Sequence, residues 1–471
     1  MDRVTNFIHG KPSDDERMPR RPLVDPSTGQ TYATAPDSDA TEVDAAMRSS
    51  AAAAEQWRAT TPAKRQRLLL RIADAIEANL AELAAAELRH TGSRAASGEI
   101  GLAADQVRFF AGAGRVLDGL AAGEYDAGHT SYVRREPLGV CGQLLPWNYP
   151  LMMAAMKSAP ALAAGNAVVL KPAEFTPATA VAYAQIVAEF LPPGTLNVIC
   201  GGPETGQLVA GHPVAASVAL TGSIETGVEV ARAAAAGVRR LQLELGGKTP
   251  VVVCADADLD AAVEGIVTGA LTNAGQDCTA ASRVLVADEV HDELVARLAA
   301  AFATVHTGPP DDAAAFYGPL NNVDQLTRVS GFVADLPDHA RIVTGGDRVG
   351  GVGYFFAPTL IVGVRGEDRI SQEEIFGPVV TVQTFSDEAE AVREANAVVH
   401  GLASSVWTKD HARAMRLSQE LDFGCVWVNT HLRFPTEMPH GGFKQSGYGK
   451  DLSIYGIEEY TRVKHVMHRH S

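Results

Sequence analysis

Two side chains of this sequence stand in settings that would make them reactive. Cys278 closes the segment Asn273-Ala-Gly-Gln-Asp-Cys278-Thr-Ala. A cysteine after a glycine-containing turn is a nucleophile when its thiolate is stabilised, starting from an unperturbed pKa of about 8.5. Taken alone, a cysteine reads more readily as a buried, inert thiol. Glu244 lies in Leu243-Glu244-Leu-Gly-Gly-Lys248, at the end of an apolar run and before two glycines. Burial there raises a carboxyl towards neutrality and makes it a usable general base; the plainer role is a cap on the next element. Gly-Gly-Lys-Thr imitates the end of a phosphate loop, but position 242 is Gln where that motif needs its leading glycine.

Further segments could serve these two. In Pro146-Trp147-Asn148-Tyr149-Pro150 two prolines pin a loop and present an amide, which can donate to a developing oxyanion or simply make a turn. Lys171 and Glu174 follow a strand and suit ribose recognition. Thr221-Gly222-Ser223 opens a helix, where backbone amides favour phosphate. No GxGxxG occurs, so spacing alone does not show a dinucleotide site. Glu373-Glu374-Ile-Phe376-Gly-Pro378 and Glu437-Met-Pro-His440-Gly-Gly-Phe-Lys-Gln-Ser446-Gly read as loops of fixed turn chemistry. His465, His468 and His470 lack zinc-site spacing, no HExxH exists, and no metal is expected. Asp277 should oppose ionisation of its neighbour Cys278. Its compensating use would be to attract a substrate ammonium, unless it turns away from the pocket. Arg433 would suit a carboxylate-bearing substrate instead.

The elements that must position these residues are legible in outline. Thr61-Pro62 is a helix start, with Leu68, Leu69, Ile72, Ile76 and Leu80 on one face, and Gly92 stops the next helix. From residue 138, strands at 140–145, 167–170, 196–200 and 217–220 alternate with helices at 151–163, 176–190, 203–210 and 225–236. A second alternating series starts at 250–254 and runs through 259–274, 283–286, 289–304, 341–344, 379–382, 388–398, 404–407, 411–421 and 425–428. Apolar strands alternating with helices imply two α/β lobes with parallel sheets, jointed near 245–249. The charged, extended stretches 124–135 and 462–468 lie outside both series and are expected to pair with each other or with another subunit.

Composition excludes several classes. A net charge of −16 disfavours nucleic acid and anionic membranes as partners. Five scattered cysteines, none in CxxC, suggest a reducing compartment, and no signal-peptide core or membrane-length apolar run occurs. A cytoplasmic protein is expected.

Together PWNYP, KPAE, TGS, LELGGK, GQDC, EEIFGPV and PHGGFKQSG, in this order, resemble the aldehyde dehydrogenase superfamily over essentially the whole chain. That resemblance implies its fold: a Rossmann-like NAD-binding domain (1–121 and 138–246), a catalytic α/β domain (247–445) and a small β bridging element (122–137 and 446–471). It implies NAD as cofactor, a small-molecule aldehyde as substrate, and a homodimer or tetramer. Cys278 becomes the nucleophile, Glu244 the base, Asn148 and the Cys278 amide the oxyanion hole, and Lys157 with Asp451 a proton relay. Asp451 departs from the family, which usually has Glu there. Leu145, Pro146, Trp147, Lys171, Glu174, Gly222, Ser223, Leu245, Gly246, Glu374 and Phe376 become cofactor residues. Tyr149, Met156, Asp277, Thr279, Glu437 and His440 become substrate residues. The closer resemblance is to γ-aminobutyraldehyde dehydrogenases, carried by Arg108-Phe-Phe-Ala-Gly-Ala, Gly119-Leu-Ala-Ala-Gly-Glu-Tyr, Asn273–Ala280, Gly401–Asp410, Trp427-Val-Asn-Thr-His431 and Glu437–Thr461. Met156 departs from it, since Trp is expected there; a more adaptable Met widens the pocket.

Overall fold

The computed structural model describes residues 2–470. Five largely buried strands pair in parallel in the order Arg240–Leu245, Ala215–Gly222, Val140–Leu144, Ala167–Lys171, Leu196–Val198. Antiparallel edges extend this sheet to eight strands, with Gly447–Tyr448 at one side and Asn6–Ile8 and Lys11–Ser13 at the other. From Val140–Leu144 the chain winds outward in one direction, then returns and winds outward in the other from Ala215–Gly222. This reversal opens a crevice at the carboxyl ends of those two strands, the usual ligand position in an open α/β sheet. Asn148 and Ser223 follow those two strand ends.

The second sheet has seven strands, in the order Arg341–Thr344, Thr359–Val362, Val379–Phe385, Arg283–Ala287, Pro250–Val253, Ala403–Trp407, Cys425–Val428, with only the first antiparallel. Leu245 ends a strand of the first sheet and Pro250 begins one of the second. Carboxyl ends of one sheet therefore run into amino ends of the other, and Cys278 and Phe376 precede strands at those amino ends.

The two charged stretches pair with each other: Thr461–Arg469 runs antiparallel to His129–Pro137 in unbroken register, with Gly123–Asp126 alongside. Of 446–471, the described part of this bridging sheet is confined to Thr461–Arg469. Gly447–Tyr448 belongs to the first sheet, and helix Ser453–Glu459 packs on helices Pro150–Ala164 and Ala96–Ala113.

Several elements were not expected. The strands before Asp37 are short and polar, so no periodicity marks them. Helix Ala96–Ala113 contains three glycines, which lower its propensity, and burial of Ile100, Val107 and Phe110 holds it instead. The stretch 259–274 is not one helix. It ends at Leu271 and passes into a tight turn, Thr272–Gly275, with left-handed Asn273 (φ 51°) and Ala274 (φ 57°). No helix among the described residues is long and apolar enough to cross a membrane.

Candidate active site

Helix Pro150–Ala164 begins with proline at its first turn and ends at left-handed Gly165 (φ 102°), and it is buried almost throughout. It fixes the loop before it. The Asn148 side chain (Nδ2) donates to the Gln276 carbonyl at 3.1 Å, and the Asn148 carbonyl accepts from Asn273 Nδ2 at 3.1 Å. Gln276 closes the turn by donating from Nε2 to the Asn273 carbonyl, 2.9 Å, while its Oε1 accepts from the Asn321 amide, 2.8 Å. The amide of Asn148 is thus locked onto the turn that delivers Cys278.

The glycines of LELGGK bring the second reactive group to the same place. A Cβ on Gly247 would lie 2.2 Å from the Cys278 carbonyl oxygen, so only glycine permits that approach. Both oxygens of Glu244 are buried without a hydrogen-bond partner. Burial, and then the anion of Asp451, push the Glu244 carboxyl well above its ordinary range, against the pull of Lys157 and Lys450. Cys278 is also raised well above the usual thiol range, first by burial and then by Asp277, Glu374 and Glu244. An orphaned carboxylate of raised proton affinity beside a thiol of raised pKa is chemically a base next to its nucleophile.

Beneath Glu244, Lys157 Nζ donates to Asp451 Oδ2 at 2.7 Å, with both side chains buried. Asp451 Oδ1 accepts from Gln242 Nε2, 2.8 Å, and the Tyr460 hydroxyl links Gln242 to Gln143. Gln242, which broke the phosphate-loop pattern, therefore orients the Asp451 carboxylate.

On the crevice side, Lys171 Nζ lies 3.7 Å from Glu174. Ser223 caps helix Ile224–Ala235 by accepting from the Thr226 amide, 3.2 Å. Glu374 Oε1 accepts from the Gly247 amide at 3.0 Å, and burial lifts its carboxyl to about 7. Phe376, left-handed at φ 60°, sets its ring edge-on to Trp147 with centroids 5.2 Å apart. Leu245 is buried, Pro146 and Trp147 are half-exposed, and a Cβ on Gly246 would lie 2.2 Å from Glu374. A switch-point crevice with a Lys–Glu pair, a helix start and a buried acid beside an aromatic edge fits the dinucleotide that the resemblance implies.

On the other side of Cys278, Asp277 Oδ2 accepts from the Tyr149 hydroxyl, 2.7 Å. Its Oδ1 accepts from the Thr279 amide, 2.7 Å, and hydroxyl, 2.6 Å. Tyr149 packs with Met153, Met156 and Leu452. His431 Nε2 donates to the Thr279 carbonyl, 2.9 Å, which ties the loop after Trp427 to the Cys278 segment. Trp427 meets His431 at a 50° tilt and Phe434 edge-on, and Phe434 meets His440 edge-on, with ring centroids 4.7–5.2 Å apart. Glu437 and Arg433 are exposed and make no ion pair among the described residues. Asn273, Gln276, Gln242 and Tyr460 carry no role legible in the sequence, because the partners that give them one lie far away in the chain.

A family model described as "Aldehyde dehydrogenase family" matches residues 13–466. The chain belongs to the aldehyde dehydrogenase family. An aldehyde dehydrogenase described as mitochondrial, from Leishmania tarentolae, is 40% identical over 451 residues, 94% of this chain and 90% of that one. Among solved structures, this aldehyde dehydrogenase is similar to betaine aldehyde dehydrogenase from Staphylococcus aureus in complex with NAD+, at TM-score 0.97 and 33% identity, covering 99% of this chain and 95% of that one. It is also similar to a protein named as an aldehyde dehydrogenase from Burkholderia cenocepacia, at TM-score 0.97 and 36% identity, covering 99% and 97%.

Proposed function

We propose that this aldehyde dehydrogenase uses NAD+ to oxidise a short aldehyde with a positively charged tail, 4-aminobutanal first, to the free acid. The observation that carries the substrate reading is Asp277. Its half-buried carboxylate stands next to the nucleophile, is held by Tyr149 and Thr279, and has no cationic partner among the described residues. The Trp427–His440 aromatic set adds ring faces that attract cations. The likeness to an enzyme named for betaine aldehyde, itself a cationic aldehyde, agrees with this reading. Exposed Arg433 gives a succinate-semialdehyde reading less support.

In the mechanism, the Cys278 thiol gives up its proton to solvent water and its sulfur bonds to the aldehyde carbon, while Asn148 Nδ2 and the Cys278 amide donate to the carbonyl oxygen as it becomes anionic. Loss of one such donor typically costs about 2.7–4 kcal/mol. When bound, NAD+ supplies the acceptor for the hydride leaving that carbon. Trp147, Phe376 and Glu374 orient the reacting face. Glu244 then takes a proton from the water that attacks the thioester, the carbon–sulfur bond breaks, and the proton passes towards Lys157 and Asp451. An acyl transfer to a thiol cofactor would not need this base, so Glu244 favours hydrolysis. Lys171, Glu174, Gly222 and Ser223 hold the adenosine and pyrophosphate portions, and residues 1–121 with 138–246 form the lobe that does so.

The test is kcat/KM for 4-aminobutanal, betaine aldehyde, succinate semialdehyde and a neutral aldehyde of equal length, in wild type and Asp277→Asn. A loss of about tenfold or more confined to the cationic substrates, about 1.4 kcal/mol, is expected. Equal losses across the panel would reject the substrate reading.

A further inference from the structure

A cavity of about 500 Å³, lined by none of the residues assigned above, lies where the bridging sheet meets the first lobe. Six arginines line it: Arg58, Arg65, Arg115, Arg134, Arg135 and Arg462. In a chain of net charge −16 this is a strong local reversal. Two acids, Asp118 and Glu136, share the lining, and they do not cancel it. Glu136 pairs with Arg134 and Arg462, and Arg135 turns to Glu458 at 2.6 Å. Arg58, Arg65 and Arg115 have no carboxylate partner among the described residues.

Arg65 is the decisive member. It is 92% buried, with 8% of its surface exposed. Its Nε donates to the Ala163 carbonyl, 2.8 Å, and its Nη1 to the Thr60 carbonyl, 2.6 Å. The first bond caps the end of helix Pro150–Ala164 and the second the turn before helix Pro62–Ala78, yet they leave a whole positive charge buried without a counter-charge. Burial alone lowers its pKa, with no anion restoring it. A buried, unpaired guanidinium is costly unless something outside the chain neutralises it. The start of helix Pro62–Ala78, capped by Thr61, opens on the same cavity and adds its positive end.

We propose that this cavity is a second ligand site that takes a phosphorylated small molecule, separate from the dinucleotide crevice. Arginine forks match phosphate oxygens two at a time, and the volume suits a ligand of nucleotide size. None of the residues assigned to cofactor or substrate lines it. The ligand would join helix Pro62–Ala78, the end of helix Ala96–Ala113 and both long strands of the bridging sheet. Its expected consequence is a more stable fold at no change in the chemistry.

The test is calorimetric titration of inorganic pyrophosphate into enzyme saturated with NAD+, so that the crevice is already filled, at physiological salt. One saturable site per chain is expected in wild type, with a rise in Tm. Arg58→Ala/Arg115→Ala should weaken binding at least tenfold and lose the Tm rise. Both positions are exposed, so folding and aldehyde oxidation should be unaffected; turnover checks this in the same preparations. Arg65→Met, scored only if it melts cooperatively, should lose binding too. Absence of binding to wild type would overturn the proposal. So would equal binding to wild type and the double variant, which would mean an adventitious ion only.

Discussion

At the scale of single residues, the chemistry rests on groups whose surroundings disfavour their charged forms. Glu244 is buried with neither oxygen satisfied, and its carboxyl is held well above its ordinary range. An acid raised in the folded state loses stability as pH climbs from its unfolded value, about 4.3, to its folded one, and each pH unit between the two removes about 1.4 kcal/mol. Glu244→Gln removes that penalty. The Tm of the variant relative to wild type should therefore increase from pH 5 to pH 8, although the variant has lost turnover. A difference in Tm that does not change with pH would show that the carboxyl is ordinary. Glu244 was readable in the sequence because a carboxylate at the end of an apolar strand, before two glycines, has few structural uses. Asn273 was not readable as a positioning residue, because its role depends on a left-handed backbone and on a partner, Asn148, 125 positions away.

At the scale of elements, the two sheets are joined by close backbone approaches as well as by side chains. Gly247 lets strand Arg240–Leu245 run into Pro250–Val253 while passing the Cys278 carbonyl at a distance no side chain permits. Gly247→Ala should displace the Cys278 turn, cost about 1–3 kcal/mol of stability and remove most activity. Chemical denaturation and initial rates measure both. Wild-type rates in a folded variant would mean that the approach is not needed. The strand–helix alternation from residue 138 was legible since apolar runs of four to eight residues carry their own signal. The 259–274 stretch was not, because its pattern continues past Leu271 while the backbone turns left-handed.

At the scale of the whole molecule, the bridging sheet leaves one long edge open. Thr461–Arg469 is the outermost strand, with exposed Val463 and Met467 on the same face. An open edge with apolar side chains is a template for pairing, and we expect a homodimer or tetramer to form through it. Val463→Lys/Met467→Lys should lower the solution mass measured by light scattering; an unchanged mass would place the contact elsewhere. That these stretches form a bridge was legible from their charged, extended character. That residues 447–459 instead complete the first lobe was not, since two residues of strand and a seven-residue helix leave little pattern.

The most direct measurement is a single-turnover experiment on Glu244→Gln mixed with aldehyde and NAD+. One equivalent of NADH per active site is expected, then a stall, with the acyl mass found on the peptide containing Cys278. Steady turnover by this variant, or a trapped acyl group on any other cysteine, would contradict this expectation.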